Sequence, residues 1–80
     1  MLILYMRPGC PYCARVFKAA EELTISFDER NINEPGINAE LLARGGKRQV
    51  PYLVDTERGV EMYESEDIIK HLHATFTKKT

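Results

Sequence analysis

The sequence predicts an α/β fold in which a four-stranded mixed sheet is flanked by three helices, in the order β-α-β-α-β-β-α. An apolar run at Leu2–Met6 is followed by residues at helical spacing, an alternation typical of α/β domains. A further strand, Tyr52–Asp55, is opened by Pro51 and joined by a short turn to an antiparallel partner strand. With 80 residues the chain is near the lower limit for burying a sufficient core, and we expect a single domain over 1–80.

The first half of the chain predicts a parallel strand–helix–strand unit. Leu2–Met6 is continuously apolar, as expected for a central strand that is covered on both faces. An Arg-Pro-Gly sequence ends this strand, and Pro11 suits the first position of the helix that follows. We predict that the second strand starts at Thr24 or Ile25 and ends at Ile32. A unit of this length makes a right-handed parallel crossover.

The second half predicts a helix, a hairpin and a final helix. Asn38 is expected to cap a short helix that Gly45-Gly46 ends. Pairing of Tyr52–Asp55 with Val60–Tyr63 forms the hairpin. Ser65 is expected to cap the last helix. Helical spacing assigns further residues to the core: Phe17, Leu23, Ile68, Ile69, Leu72 and Phe76.

Composition and charge narrow the classes of partner. The chain is 44% hydrophobic and 29% charged, which is ordinary for a globular protein and not for a disordered one. A formal net charge of -1 gives no electrostatic reason to expect nucleic acid or an anionic membrane surface as partner. The apolar start, 1–6, is too short for a signal peptide or a membrane span. We therefore expect a cytoplasmic protein.

The two cysteines, Cys10 and Cys13, are separated by two residues. In a small intracellular chain this spacing indicates redox chemistry or half of a metal site. No second pair of this kind exists, and His71 and His73 lie about sixty residues further along. A closed zinc site would need both histidines or a second subunit, so we expect no metal. Both histidines are expected to be exposed on the last helix, without a role.

The spacing of the cysteines suits a reactive dithiol. If Cys10 is the N-cap and Pro11 the first helical residue, the Cys10 sulfur faces the backbone N–H groups of Tyr12 and Cys13. Such donors and the positive end of the helix lower a cysteine pKa from about 8.5 to roughly 3.5–7.5. Cys13, one turn inside the helix, should be more buried. We expect Cys10 to attack and Cys13 to resolve.

Three motifs in order resemble those of glutaredoxins: Cys10-Pro11-Tyr12-Cys13, then Gln49-Val50-Pro51, then Tyr63-Glu64-Ser65-Glu66-Asp67-Ile68. The closest resemblance is to glutaredoxins related to the N-terminal domain of glutathione transferases. It covers essentially the whole chain. It implies a thioredoxin-like fold, a cis bond at Pro51, and a monomer that reduces protein disulfides and glutathione mixed disulfides. Glutathione would be the reducing co-substrate, and disulfide-containing or glutathionylated proteins would be the partners.

The resemblance also implies a glutathione site. Besides the catalytic cysteines, it assigns these residues to glutathione: Arg7, Tyr12, Gln49, Val50, Pro51, Glu64, Ser65 and Glu66. The Val50 backbone would pair with the cysteinyl part, and Ser65 would hold the γ-glutamyl carboxylate at a helix N-terminus. Either Glu64 or Glu66 would meet the γ-glutamyl ammonium, because this chain has Tyr-Glu where most glutaredoxins have two glycines. Arg7 would neutralise the glycyl carboxylate.

Three other functions are open to such a chain. One is an iron–sulfur carrier dimer with Cys10 and two glutathiones as cluster ligands, although Pro11 and Cys13 count against it. Another is an electron donor recharged by thioredoxin reductase, which would not need the glutathione contacts of Arg7 and Ser65. The third is a fragment of a glutathione transferase, which would lack the dithiol and continue into a helical domain.

Overall fold

Residues 1–76 fold into four strands and three helices in the predicted order. A computed structural model describes residues 1–76, so the last four residues of the domain predicted over 1–80 lie outside the described part. None of the helices within the described residues is long and apolar enough to cross a bilayer. The elements are β1 (Leu2–Met6), α1 (Pro11–Glu22), β2 (Asp28–Asn31), α2 (Ile37–Gly45), β3 (Tyr52–Asp55), β4 (Val60–Met62) and α3 (Ser65–Phe76).

The four strands form one mixed sheet in the order β2-β1-β3-β4. β1 runs parallel to β2 and antiparallel to β3, and Leu4 stands opposite Leu53 in that register. β3 and β4 form the antiparallel hairpin. Leu4 and Tyr5 of β1 are completely buried, as predicted for a central strand whose successive side chains enter opposite faces. The arrangement is thioredoxin-like.

Each face of the sheet has its own apolar core. One cluster packs Leu41 of α2 against Ile3, Tyr5, Ile32, Tyr52 and Val54. The other packs Val16 of α1 and Ile68 and Leu72 of α3 against Leu4 and Leu53. The predicted core residues Phe17, Leu23, Ile69 and Phe76 are half-buried against this second cluster. Helices on both faces therefore hold the sheet.

The second strand is shorter than predicted, because residues 23–25 end α1 instead of starting β2. Thr24 has left-handed backbone with φ 59°. Its N–H donates to the Glu21 carbonyl at 3.1 Å, and the Ile25 N–H donates to the Ala20 carbonyl at 2.9 Å. These two bonds are those of a Schellman motif, which satisfies the last carbonyls of a helix. Glycine usually occupies the left-handed position, so threonine there gave no signal of the motif.

The starts of the other two helices also differ from the prediction. Gly36, not Asn38, is the N-cap of α2, since its φ of 85° turns the chain and its carbonyl accepts from Glu40 N–H at 3.1 Å. Ser65 is the first residue of α3 and not the cap before it. Glu64 precedes it with φ 64°, and the Glu64 carbonyl accepts from Ile68 N–H at 3.0 Å. The predicted strand Val60–Tyr63 ends one residue earlier, at Met62.

The sequence predicted that His71 is exposed and has no role, and for His71 this prediction is wrong. Its side chain is half-buried, and Nε2 lies 3.0 Å from Oδ2 of Asp55, a carboxylate at the end of β3 with no exposed surface. Arg58 also contacts Asp55, at 3.2 Å. Through these two contacts, Asp55 links α3 and the hairpin turn to the sheet. His73 is exposed, as expected.

Candidate active site

The dithiol lies where the loop after β1 enters α1. Cys10 is the N-cap, and its Sγ accepts from Cys13 N–H at 3.4 Å. Pro11 occupies the first turn of α1, where its missing N–H leaves no bond unmade. Both thiols are free and buried, with 5% of Cys10 and 2% of Cys13 exposed. The predicted capping geometry is confirmed, and Cys13 is the more buried of the two.

The two thiols differ in acidity. Burial alone would raise the pKa of Cys10, but the N–H groups of Cys13 and Tyr12, the Cys13 thiol and the charge of Arg7 together lower it. The pKa of Cys13 is raised to about 11, mainly by burial and also by the negative charge and hydrogen bonding of Cys10. Cys10 is therefore the more acidic of the two thiols, as an attacking cysteine beside a resolving one requires.

We expect the two thiols to titrate separately. The rate of alkylation by iodoacetamide, followed against pH, should show one thiol with a pKa below its ordinary value of 9.0 and one with a pKa of about 11. In the Cys10→Ser variant the lower step should vanish and a step above 9.0 should remain, because burial still acts on Cys13. Two thiols that both ionise near 9.0 would contradict the capping account.

A cleft of about 450 Å³ adjoins the dithiol turn. Three segments form its walls: the start of α1, the loop before β3 and the start of α3. The lining residues are Tyr12, Arg15, Gln49, Val50, Pro51, Glu64, Ser65, Glu66 and Asp67. The Val50–Pro51 bond is cis, as the resemblance implied. Tyr12, between the cysteines in sequence, joins the cleft to the dithiol.

Groups of both charges surround the N-terminus of α3 in this cleft. Ser65 is 7% exposed at the first position of the helix, where the backbone N–H groups carry partial positive charge. The Gln49 amide donates to Glu64 at 3.1 Å. Arg15 lies 3.6 Å from Glu66, so this pair joins α1 to α3 across the cleft. A small zwitterion can find partners for both of its charges here.

The cleft brings together every residue predicted to contact glutathione except Arg7. Arg7 is exposed beside the dithiol, and its carbonyl accepts from Cys10 N–H at 3.3 Å. Sequence reasoning missed Arg15 and Asp67. Arg15 follows Tyr12 by three residues, and this helical spacing puts the two side chains on one face. Among residues 1–76, no three histidine, cysteine or acidic side chains are grouped so that they could hold a metal ion.

Comparison with protein families and curated proteins gives two sequence relationships. The family model described as glutathione S-transferase, N-terminal domain, matches residues 4–80. Glutaredoxin 1 of Salmonella typhimurium is 42% identical over 38 residues, which span 48% of this chain and 44% of that protein. Glutaredoxin 1 of Salmonella typhi matches to the same extent. The alignment thus spans less than half of each curated relative.

Solved structures of glutathione transferases are similar in fold. A glutathione S-transferase from the Antarctic clam Laternula elliptica superposes with a TM-score of 0.82 at 28% identity, over 96% of this chain and 36% of that one. Glutathione S-transferase 1-6 from Anopheles dirus species B gives 0.80 at 26% identity, over 95% and 36%. The chain corresponds to little more than a third of either transferase.

Proposed function

The chain belongs to the glutathione S-transferase N-terminal domain family, and from this membership we propose that it is a glutathione-dependent thiol–disulfide oxidoreductase. The observation that carries the proposal is a free dithiol capping α1 beside a cleft with groups of both charges. The 42% identity with Glutaredoxin 1 supports it. We propose that residues 1–80 form one domain and that the enzyme is a monomer. It acts in the cytoplasm, where thiols stay reduced.

Cys10 starts the proposed reaction as a thiolate. It attacks the glutathione sulfur of a mixed disulfide, forming a Cys10–glutathione disulfide and breaking the bond to the substrate protein, which leaves as a thiolate and takes up a proton. A second glutathione thiolate then attacks the glutathione sulfur on Cys10. Glutathione disulfide leaves, and the Cys10 thiolate is restored.

Cys13 is required when the substrate is a protein disulfide. Cys10 first forms a mixed disulfide with the substrate, and this consumes the Cys10 negative charge that helps to raise the pKa of Cys13. Cys13 can then ionise more readily and attack Cys10, releasing the substrate thiol and closing the Cys10–Cys13 disulfide. Two glutathione molecules reduce that disulfide. Resolution is thus favoured only after the attack.

Glutathione is proposed to bind with its γ-glutamyl end at the N-terminus of α3. Ser65 and the first N–H groups of the helix would hold the carboxylate. Of the two open candidates for the ammonium, Glu64 is the better one. Its hydrogen bond from neutral Gln49 leaves its charge uncompensated, whereas Glu66 already pairs with Arg15. Arg7, beside the dithiol and outside the cleft lining, would attract the glycyl carboxylate.

A coupled assay tests the proposed function. Wild-type protein should turn over a glutathione mixed disulfide in the presence of glutathione, glutathione reductase and its nicotinamide cofactor, which the reductase oxidises at a measurable rate. Thioredoxin reductase in place of the glutathione system should give no turnover. Turnover with thioredoxin reductase and none with the glutathione system would identify an electron donor recharged by thioredoxin reductase and contradict the proposal.

The same assay discriminates the two glutamates. Glu64→Gln removes the proposed partner of the ammonium and should raise the KM for the glutathione mixed disulfide by roughly tenfold, as expected for a lost charged hydrogen bond. Glu66→Gln serves as the matched control at the same cleft and should change KM much less. A larger effect from Glu66→Gln would assign the ammonium to Glu66 instead.

A transferase role is the second candidate, because the matched family model and the similar structures are those of glutathione transferases. Such a role would use the thiolate of bound glutathione and would not need Cys10. Conjugation of glutathione to a chloronitrobenzene that survives in the Cys10→Ser variant would favour it. Loss of all glutathione chemistry in that variant would favour the oxidoreductase.

A further inference from the structure

Tyr63 contacts the loop that forms the opposite wall of the cleft. Its hydroxyl donates to the Lys47 carbonyl at 2.8 Å and accepts from the Lys47 N–H at 3.0 Å. Its ring packs on Tyr52 with the centroids 4.4 Å apart, and the Lys47 ammonium lies 5.6 Å from the ring centroid. One side chain thus satisfies both backbone polar groups of Lys47.

This contact joins the two walls of the cleft. Lys47 lies two residues before Gln49 in the irregular segment that leads to β3, and Gln49 begins the wall on that side. Tyr63 directly precedes Glu64 and Ser65 on the other wall. The hydrogen bond between Gln49 and Glu64 is a second link between these walls. Tyr63 therefore supplies one of two hydrogen-bonded links between the walls.

Gly45, the last residue of α2, makes room for this ring. A Cβ atom built at Gly45 would lie 2.1 Å from the Tyr63 hydroxyl oxygen and 2.7 Å from the ring carbon that bears it. Such distances are far inside van der Waals contact, so an alanine at this position must displace the Tyr63 ring from Lys47. Gly45 and Tyr63 therefore act as a pair.

We propose that Tyr63 is a positioning residue for glutathione: it fixes the distance between the two cleft walls and so sets the affinity for the tripeptide. This inference rests on the proposed function. Tyr63 lies outside the dithiol and is not one of the residues that line the cleft. Its removal should weaken binding of glutathione without altering the chemistry at Cys10.

The test is the coupled assay with the Tyr63→Phe variant, which keeps the ring and removes only the hydroxyl. The KM for the glutathione mixed disulfide should rise by roughly fivefold, the scale of lost hydrogen bonds, while kcat and the pH profile of Cys10 alkylation stay unchanged. Tyr52→Phe is the matched control, because it removes a hydroxyl bonded to Glu61 from the adjacent ring. It should leave KM unchanged.

Gly45→Ala should raise KM to a similar extent although the Tyr63 hydroxyl is present, and adding Tyr63→Phe should raise it no further. An unchanged KM in Tyr63→Phe would overturn the proposal, as would equal rises in Tyr63→Phe and Tyr52→Phe or a shifted alkylation profile. If wild-type protein shows no turnover with glutathione at all, the proposed function itself fails. The two failures are therefore distinguishable.

Discussion

Replacing Cys10 by serine should abolish the reduction of both glutathione mixed disulfides and protein disulfides. A serine hydroxyl is not ionised near neutral pH and cannot attack a disulfide sulfur, whereas the N-cap position lowers the pKa of Cys10. Cys13 cannot replace it, because burial still raises its pKa and only 2% of its surface is exposed. The measurement is turnover of each substrate in the coupled assay.

Cys13→Ser is the matched variant and should separate the two activities. Release of glutathione from a substrate needs only Cys10 and a second glutathione, so much of that activity should remain. Reduction of protein disulfides that depend on resolution by Cys13 should fall by more than roughly tenfold. The reason is that no second thiol of the enzyme can attack the mixed disulfide between Cys10 and the substrate. Equal loss of both activities in the two variants would contradict the glutathione pathway.

Asp55→Asn should lower the free energy of unfolding by more than any other substitution proposed for this protein. Asp55 has no exposed surface and contacts both His71 and Arg58. Changing one member of a buried charged group typically costs about 3 kcal/mol of the free energy of unfolding. In a domain of this size, that corresponds to a fall in Tm of roughly 10–25 °C. Thermal unfolding followed by circular dichroism measures it.

The stabilisation by Asp55 should depend on pH in a defined direction. Burial alone would raise the pKa of Asp55, but hydrogen bonds from His71 and Arg58 outweigh it and lower the pKa below 3.8. A carboxyl with a lowered folded-state pKa stabilises the fold above its unfolded-state pKa and loses that contribution as pH falls through the folded-state value. The difference in unfolding free energy between wild type and Asp55→Asn should therefore be largest near neutral pH and shrink below pH 3.8.

His73→Asn is the control for the Asp55 prediction, because His73 lies on the same helix and is exposed. It should leave Tm nearly unchanged. His71→Asn should be destabilising, since it removes the contact to Asp55. If Asp55→Asn and His73→Asn unfold at the same temperature, the buried contact does not stabilise the fold.

The parts of this molecule that local sequence determines were predictable. A proline after Cys10 and helical spacing after it predicted the N-cap thiol, because capping depends on a few adjacent residues. The continuous apolar run predicted β1, and the segment opened by Pro51 predicted β3, both with their bounds. The cis bond at Pro51 came from the resemblance to glutaredoxins, since spacing alone does not favour the cis form.

The parts that depend on contacts distant in sequence were not predictable. Asp55 and His71 meet only when α3 packs on the sheet, so a histidine on a helix surface gave no sign of its partner. Tyr63 was expected to end a strand, and its bonds to Lys47 form only once the loop after α2 is in place. The shortened β2 has a different cause, because Thr24 takes a backbone conformation that threonine rarely adopts.

The proposed oxidoreductase chemistry rests on one step, in which the Cys10 thiolate takes glutathione from a mixed disulfide. Its most direct test is the mass of the Cys13→Ser protein after brief reaction with a glutathione mixed disulfide in the absence of free glutathione. We expect one added glutathione per chain, located on Cys10 by peptide mapping and removed by free glutathione. An unmodified protein, or one that carries the substrate part of the mixed disulfide in place of glutathione, would contradict it.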